Sequence, residues 1–248
     1  MNKIKENEDI NRKYYDLLSD GYESKSLLRP QNKLRVLRIL MNLPVNYKND
    51  PTVLDVCCGS GFFLDILKNL VDEKNLYGVD ISQKMIDLAK KVTPKVRVGS
   101  IYELPVEDQS FNLVTGSSAL HHLEDLEAVF SEVHRVLKPG GVFLTDYDNN
   151  ARFAKIANIK NRLLWKKLKI TEAKIDADKM LHELHRKAEP QNMKYGGIDP
   201  KRIKSIAQGA GFTKCKTYAY SVKTLNHGVP ATWWNSIFNN KVYTVSVR

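Results

Sequence analysis

Cysteine is scarce in this sequence, with three residues among 248, and two of them, Cys57 and Cys58, are adjacent. An odd number that includes such a pair gives no basis for a disulfide framework, so the sequence predicts a reducing compartment, the cytoplasm. No apolar run approaches the roughly 18 residues that a membrane-spanning helix needs, so no membrane span is expected. The first residues, Met1 to Asp9, are charged and lack the apolar segment of a secretory signal, so no such signal is expected.

Two phosphate-binding signatures are also missing. The dinucleotide fingerprint G-x-G-x-x-G needs a third glycine, but after Gly59 and Gly61 that position holds Leu64. No G-K-[ST] follows the turn, which excludes a P-loop. These gaps argue against a dinucleotide cofactor and against a nucleoside triphosphate bound by its phosphates.

A strand, a turn of small residues and a helix nevertheless follow one another here. The segment Thr52–Cys57 is apolar and β-branched, as in a buried parallel strand, and Phe62–Leu70 has the apolar spacing of a helix. Between them, Gly59 and Gly61 allow backbone angles that a Cβ forbids and let a ligand approach the main chain. Such a turn is typical of a nucleotide-cofactor site.

The stretch T-V-L-D-V-C-C-G-S-G-F-F, residues 52–63, resembles motif I of the class I S-adenosylmethionine-dependent methyltransferases, usually V-L-D-x-G-C-G-x-G. The resemblance departs at Cys57, where the family usually has glycine. The second strand ends in Asp80, at the offset of about 20 residues expected for a carboxylate that binds ribose hydroxyls. Further landmarks of the family follow in order at 103–105, 108–114, 120–123 and 136–141.

The alternation of strands and helices predicts an α/β fold: a doubly wound, mostly parallel, Rossmann-like sheet with a helical insertion before the last two strands. We expect four segments. Residues 1–50 form an N-terminal helical cap, 51–148 the S-adenosylmethionine-binding core, 149–198 a helical insertion that serves as substrate lid, and 199–248 the end of the sheet. The insertion reads as two helices, over 151–169 and 173–188.

The resemblance implies S-adenosylmethionine as cofactor and assigns contacts at the strand ends. Backbone groups of Cys57, Gly59 and Gly61 approach its amino acid part. Asp55 holds the turn or reaches the ammonium through water, and Asp80 accepts from both ribose hydroxyls.

The remaining cofactor contacts lie further along the chain. Ile81 and Met85 sandwich the adenine. Ser100 stands where the family often has an aspartate that accepts from the adenine amino group, and Ile101 supplies a backbone donor. The last pair, Ser117 and Ser118, face the methyl-donor end.

Tyrosines near the start of the chain predict a lid on the cofactor. One of Tyr14, Tyr15 and Tyr22 is expected to close onto the methionine end, the alternative being that they only dock the helix on the domain. His121 and His122 are candidate general bases, since histidine titrates near physiological pH; the alternative is packing or capping. No cysteine or aspartate lies at metal-ligand spacing nearby, so no metal site is expected.

The formal net charge of +11 raises the possibility of an anionic partner. Lysines are scattered along the chain, however, and no recognisable nucleic-acid module is present. The sequence therefore predicts methyl transfer to an oxygen, nitrogen or carbon nucleophile of a small molecule. Two alternatives stay open: an RNA-directed methyltransferase or RNA-binding protein, and a catalytically silent cofactor-binding scaffold. The adjacent Trp233 and Trp234 pack a sheet edge or form one wall of an apolar pocket, and the oligomeric state is left open.

Overall fold

The computed structural model describes residues 2–19, 22, 30–151, 177–220 and 241–248. Apart from Ala151, the first predicted insertion helix lies outside the described residues. So do Trp233 and Trp234.

The described part of the chain contains seven strands and eight α-helices. The strands are β1 (Val53–Val56), β2 (Leu76–Asp80), β3 (Val96–Val98), β4 (Phe111–Ser117), β5 (Leu137–Asn149), β6 (Lys214–Tyr220) and β7 (Lys241–Val247). The helices are α1 (Asn2–Leu18), α2 (Pro30–Met41), α3 (Phe62–Leu67), α4 (Gln83–Ala89), α5 (Leu126–Val136), α6 (Ala177–Ala188), α7 (Pro190–Tyr195) and α8 (Pro200–Gly209).

The strands form one sheet in the order β3-β2-β1-β4-β5-β7-β6. All neighbours are parallel except β7, which runs antiparallel to both β5 and β6. The predicted Rossmann-like fold class is confirmed. Strand order reverses between β1 and β4, and ligands of such sheets bind beyond the carboxyl ends of the strands at that reversal.

Helices cover both faces of the sheet, which explains why β1 is buried along its whole length. On one face, Phe130 of α5 packs edge-on against Phe143 of β5, with ring centroids 5.3 Å apart. On the other face, Leu40 of α2 and Phe63 of α3 belong to a second buried cluster. These layers hold the strand ends in fixed relative positions.

The K-P-G-G segment at 138–141 differs from the prediction. Its proline and glycines predict the end of a helix, followed by a strand over 142–145, but β5 already begins at Leu137. The reason is pairing with the end of the chain: the Gly140 amide donates to the Arg248 carbonyl at 3.2 Å, and the Arg248 amide donates to Gly141 at 3.0 Å. Gly140 absorbs the bend with a φ of +76°.

The spacing of Tyr14, Tyr15 and Leu18 predicts a helix over 8–19, whereas α1 spans Asn2–Leu18 and begins six residues earlier. Among the helices of the described residues, none is long and apolar enough to cross a membrane.

Candidate functional site

A cavity lies at the carboxyl ends of β1, β2, β3 and β4. Helix α1 closes its opposite side. Its described lining residues are Asn7, Glu8, Asn11, Tyr15, Tyr22, Cys57, Gly59, Val79, Asp80, Ile81, Gly99, Ile101, Tyr102, Ser117, Ser118, Ala119, His122 and Leu123.

The turn after β1 has the backbone angles that its glycines permit. Gly59 has a φ of +53° and Gly61 a φ of +88°. Cys57 also lies in the left-handed region, with a φ of +51°, although its Cβ makes that conformation unfavourable. This conformation gives a physical reason for the usual glycine at that motif position. The turn is closed by a 2.9 Å hydrogen bond from the Gly61 amide to the Cys58 carbonyl.

Asp80, at the end of β2, is held by the turn that it faces. The Gly59 amide donates to its Oδ2 at 2.8 Å, and the Ser82 amide donates to its Oδ1 at 2.9 Å. Burial raises the pKa of Asp80, while these backbone bonds oppose the rise. Each carboxylate oxygen keeps a further lone pair for a ligand. Asp80 is therefore oriented as an acceptor on the cavity wall.

The end of β4 and helix α1 present buried polar atoms with no partner in the described structure. They are Ser117 Oγ and Asn11 Oδ1, both of residues that line the cavity. Asn11 is fixed through its amide nitrogen, which donates to the Asn7 carbonyl at 3.0 Å and to the His122 carbonyl at 3.2 Å. Buried polar atoms without partners are costly, so these two are positioned for a polar ligand.

A tyrosine and a histidine are hydrogen-bonded to each other at the cavity wall. His122 Nδ1 lies 3.0 Å from the Ala188 carbonyl, which can only accept, so Nδ1 carries the proton. Nε2 then accepts from the Tyr15 hydroxyl at 2.8 Å. Burial lowers the pKa of His122 to about 3 and raises that of Tyr15 well above its usual value. Both groups are neutral near pH 7.

His121 turns away from the cavity. Its Nδ1 lies 2.8 Å from Asp148 Oδ1 on β5, and its Nε2 lies 3.6 Å from Glu189 Oε1. Burial lowers the pKa of His121 to about 4 and raises that of Asp148 to about 7, because it disfavours the imidazolium of one and the carboxylate of the other. The His121 ring packs beside the His122 ring, with centroids 4.2 Å apart.

His121, His122 and Glu189 could also ligate a metal, because one donor atom from each lies within 4.8 Å of the others. The prediction of no metal site considered only nearby cysteine and aspartate and could not foresee Glu189, which is distant in sequence. Both nitrogens of His122 are already hydrogen-bonded, so a metal would have to displace Tyr15 or Ala188.

Many of the predicted site residues meet at the cavity: Tyr22, Cys57, Gly59, Asp80, Ile81, Ile101, Ser117, Ser118 and His122. The structure does not bring Tyr14, Asp55, Gly61, Met85, Ser100 and His121 to its lining.

The reasons differ from residue to residue. Asp55 points into the sheet, where the Thr115 hydroxyl donates to it at 2.7 Å, and burial raises its pKa to about 8. Met85, a residue of α4, is fully buried and does not line the cavity, so its contact with the adenine stays a prediction. Ser100 lies behind Glu8, to which its hydroxyl donates. Tyr14 packs on His185, with ring centroids 5.2 Å apart.

Sequence reasoning assigned no role at the site to Asn7, Glu8 and Asn11. The signal for Asn7 and Asn11 is spacing on α1, since positions 7, 11 and 15 recur every four residues on one helical face. That face is polar. A polar helical face ordinarily points to solvent, whereas this one lines the cavity. Only the tyrosines on the same helix were proposed as cofactor contacts.

The core of the chain matches a known family. Residues 54–145, less than half of the chain, match a family model described as a methyltransferase domain. The demethylmenaquinone methyltransferase of Lactobacillus johnsonii is 38% identical over 97 residues, which are 36% of this chain and 40% of that protein. That of Staphylococcus aureus is 34% identical over 118 residues, 45% and 48% of the two chains. The chain thus spans less than half the length of these curated relatives.

A solved structure resembles nearly the whole chain. It is an S-adenosylmethionine-dependent methyltransferase from Thermotoga maritima, described as a possible histamine N-methyltransferase. The TM-score is 0.63 at 17% identity, and the match covers 95% of this chain and 98% of the other. At this identity the likeness establishes the fold.

Proposed function

We propose that this chain, whose core is a methyltransferase domain of the class I, S-adenosylmethionine-dependent type, transfers a methyl group from S-adenosylmethionine to a small molecule. The observation that carries the proposal is the cavity at the strand ends, with Asp80 and the glycine turn on one wall. Its position at the reversal of strand order is where such sheets bind nucleotide cofactors.

The residues present fit the cofactor. Asp80 has lone pairs for two ribose hydroxyls while the amides of Gly59 and Ser82 hold it in place. The unpartnered Asn11 Oδ1 and Ser117 Oγ suit an ammonium and a carboxylate, respectively. The lining also has apolar side chains that suit a flat base.

When bound, S-adenosylmethionine supplies a methyl group activated by a positively charged sulfonium, so the hard chemistry belongs to the cofactor. The protein has to orient the two reactants and exclude water. Orientation of this kind is worth about 7–11 kcal/mol in favourable cases. Helix α1 serves this purpose because Asn7, Asn11 and Tyr15 close the cavity on the side opposite the sheet.

Tyr15 and His122 form the proposed catalytic pair. An acceptor hydroxyl or amine that releases its proton to Tyr15 lets the tyrosine pass its own proton to His122 Nε2, 2.8 Å away. The resulting imidazolium keeps its Nδ1–H on the Ala188 carbonyl, and the negative charge of Glu189 favours it. His121 is a positioning residue in this scheme, held by Asp148.

We retain the proposal that two segments close the site, residues 1–50 over the cofactor and 149–198 over the acceptor. In support, Ala188 and Glu189 of the insertion contact the two histidines, and Gln191 donates to the Leu123 carbonyl at 2.7 Å. A small acceptor is consistent with the two curated relatives, whose names specify demethylmenaquinone. The free thiols of Cys57, Cys58 and Cys215 fit the proposed cytoplasm.

Calorimetric titration with S-adenosylmethionine and S-adenosylhomocysteine tests the cofactor, and a methyl-transfer screen with labelled cofactor tests the activity. We expect both compounds to bind and label to appear in a small organic acceptor. Binding without any transfer would favour the silent scaffold. Transfer only to RNA, with affinity that falls steeply with salt, would favour the RNA-directed alternative.

A further inference from the structure

We propose that Glu8, on α1, recognises the base of the cofactor by accepting a hydrogen bond from its 6-amino group. The inference rests on the proposed function, since it concerns the same cavity. Helix α1 would then contribute to the specificity for the cofactor as well as closing the cavity.

The order of the sheet determines which end of the cavity receives the base. Asp80 ends β2, with β1 and β4 on one side and β3 on the other. The glycine turn and the unpartnered Ser117 hydroxyl belong to the β1 and β4 side, which suits the amino acid part. With the ribose on Asp80, the base lies toward the end of β3.

The β3 side of the cavity is lined by apolar side chains. Ile81 and Ile101 line it together with Gly99, which packs so closely on Val79 and Pro105 that a Cβ there would lie 3.1 Å from each side chain. An aromatic base fits such a slot, but the polar atoms on its edge still need partners.

Glu8 is the charged group at that end. Of the described residues that line the cavity, two carry carboxylates, Asp80 and Glu8. Glu8 is anchored beside β3 because the Ser100 hydroxyl donates to its Oε1, and Ser100 Oγ itself accepts from the Tyr102 amide at 3.0 Å.

A carboxylate that accepts one hydrogen bond keeps several lone pairs for another donor. An exocyclic amine, which can only donate, matches it, whereas a carbonyl at the same ring position would place two acceptors face to face. The geometry therefore selects a 6-amino base over a 6-oxo base, with the carboxylate supplied by a helix and not by the strand end.

Calorimetry with two ligands tests this selection. S-adenosylhomocysteine carries the 6-amino group, and S-inosylhomocysteine carries a carbonyl in its place. We expect the wild-type protein to prefer the first by about tenfold or more, as for hydrogen bonds to charged groups. Glu8→Gln should lower that preference about tenfold, because an amide can also donate. Glu6→Gln, the matched change at an exposed position of α1, should leave it unaltered.

A second set of three variants relocates the carboxylate. Glu8→Ala should weaken S-adenosylhomocysteine binding about tenfold, and adding Ser100→Asp should restore most of the affinity. In the wild-type background, Ser100→Asp should weaken binding because it sets two carboxylates side by side. Circular dichroism confirms that each variant is folded.

The outcomes separate the two proposals. A wild-type protein that binds neither ligand overturns the proposed function. A wild-type protein that binds S-adenosylhomocysteine, with a preference that Glu8→Gln and Glu6→Gln leave equally unchanged, overturns only the role of Glu8. Failure of Ser100→Asp to rescue Glu8→Ala also counts against it.

Discussion

The cavity has two walls of different origin. The sheet wall consists of strand-end residues, among them Cys57, Gly59, Asp80 and Ser117, whose positions follow from local sequence and strand pairing. The helix wall consists of Asn7, Glu8, Asn11 and Tyr15 on α1, whose positions depend on how that helix docks. A turn that binds a ligand through its backbone requires small residues at fixed spacing, so it can be recognised in a sequence. A docked helix can present many different side chains to a ligand and has no such pattern. The sheet wall is expected to bind the cofactor, and the helix wall to add specificity and chemistry.

The largest effect should come from removing the hydroxyl of Tyr15 on the helix wall. Tyr15→Phe takes away the proton carrier between acceptor and His122, so we expect kcat to fall about 1,000-fold. Affinity for S-adenosylhomocysteine should change little, because the sheet wall is intact. Steady-state kinetics and calorimetry measure the two quantities.

Tyr14→Phe is the matched control on the same helix, since Tyr14 packs on His185 outside the cavity lining. If the two variants lose equal activity, the hydroxyl of Tyr15 has no special part in proton transfer.

The next largest effect concerns the sheet wall. Asp80→Ala removes two charge-assisted hydrogen bonds to ribose and frees the Gly59 and Ser82 amides. Such bonds are each worth about 1.5–3 kcal/mol, so affinity for S-adenosylhomocysteine should fall about 100-fold or more. Calorimetry measures the loss, and Asp87→Ala, an exposed carboxylate on α4, is the control. An unaltered affinity in Asp80→Ala would remove the ribose site from the sheet wall.

A third prediction separates folding from binding. Burial raises the pKa of Asp55 from 3.8 to about 8, so the folded protein holds a proton that the unfolded chain releases. Stability contributed by this proton is complete below pH 3.8 and is lost as the pH rises toward 8. Asp55→Asn should remove that loss. Between pH 5 and 7, the free energy of unfolding of the variant relative to the wild type should rise by roughly 1 kcal/mol per pH unit.

Urea unfolding of both proteins at several pH values measures the difference. Parallel curves for Asp55→Asn and the wild type would show that Asp55 is ionised in the folded state. Cofactor affinity should stay unchanged in this variant, since Asp55 faces Thr115 and not the cavity.

The smallest effect concerns Cys57, whose φ of +51° costs about 1–2 kcal/mol in an L-residue. Cys57→Gly relieves this cost but loses chain entropy and side-chain burial, so we expect stability within about 1 kcal/mol of wild type. Cys57→Val should cost about 1–2 kcal/mol more than Cys57→Gly, because a β-branched side chain tolerates this conformation poorly. Equal melting temperatures for the two variants would contradict a left-handed Cys57.

The two walls also differ in how far the sequence predicted them. The glycine turn and Asp80 could be identified because their spacing reflects one strand–turn–helix unit. Asp55 and Met85 belong to the same segments, yet which way each side chain points depends on neighbours such as Thr115. The hydrogen-bond acceptors on α1 could not be identified from the sequence. The residues next to Glu8 and Asn11 do not indicate that these side chains contact Ser100 and His122. The extension of β5 through its glycines likewise depends on pairing with Arg248, more than a hundred residues away in sequence.

A crystal structure of the wild-type protein soaked with S-adenosylhomocysteine tests the central claim most directly. We expect density in the cavity at the strand ends, with the ribose hydroxyls within hydrogen-bonding distance of the Asp80 carboxylate and the edge of the base facing Glu8. Density for the ligand elsewhere, or a ribose that makes no contact with Asp80, would contradict the assignment of this cavity as the cofactor site.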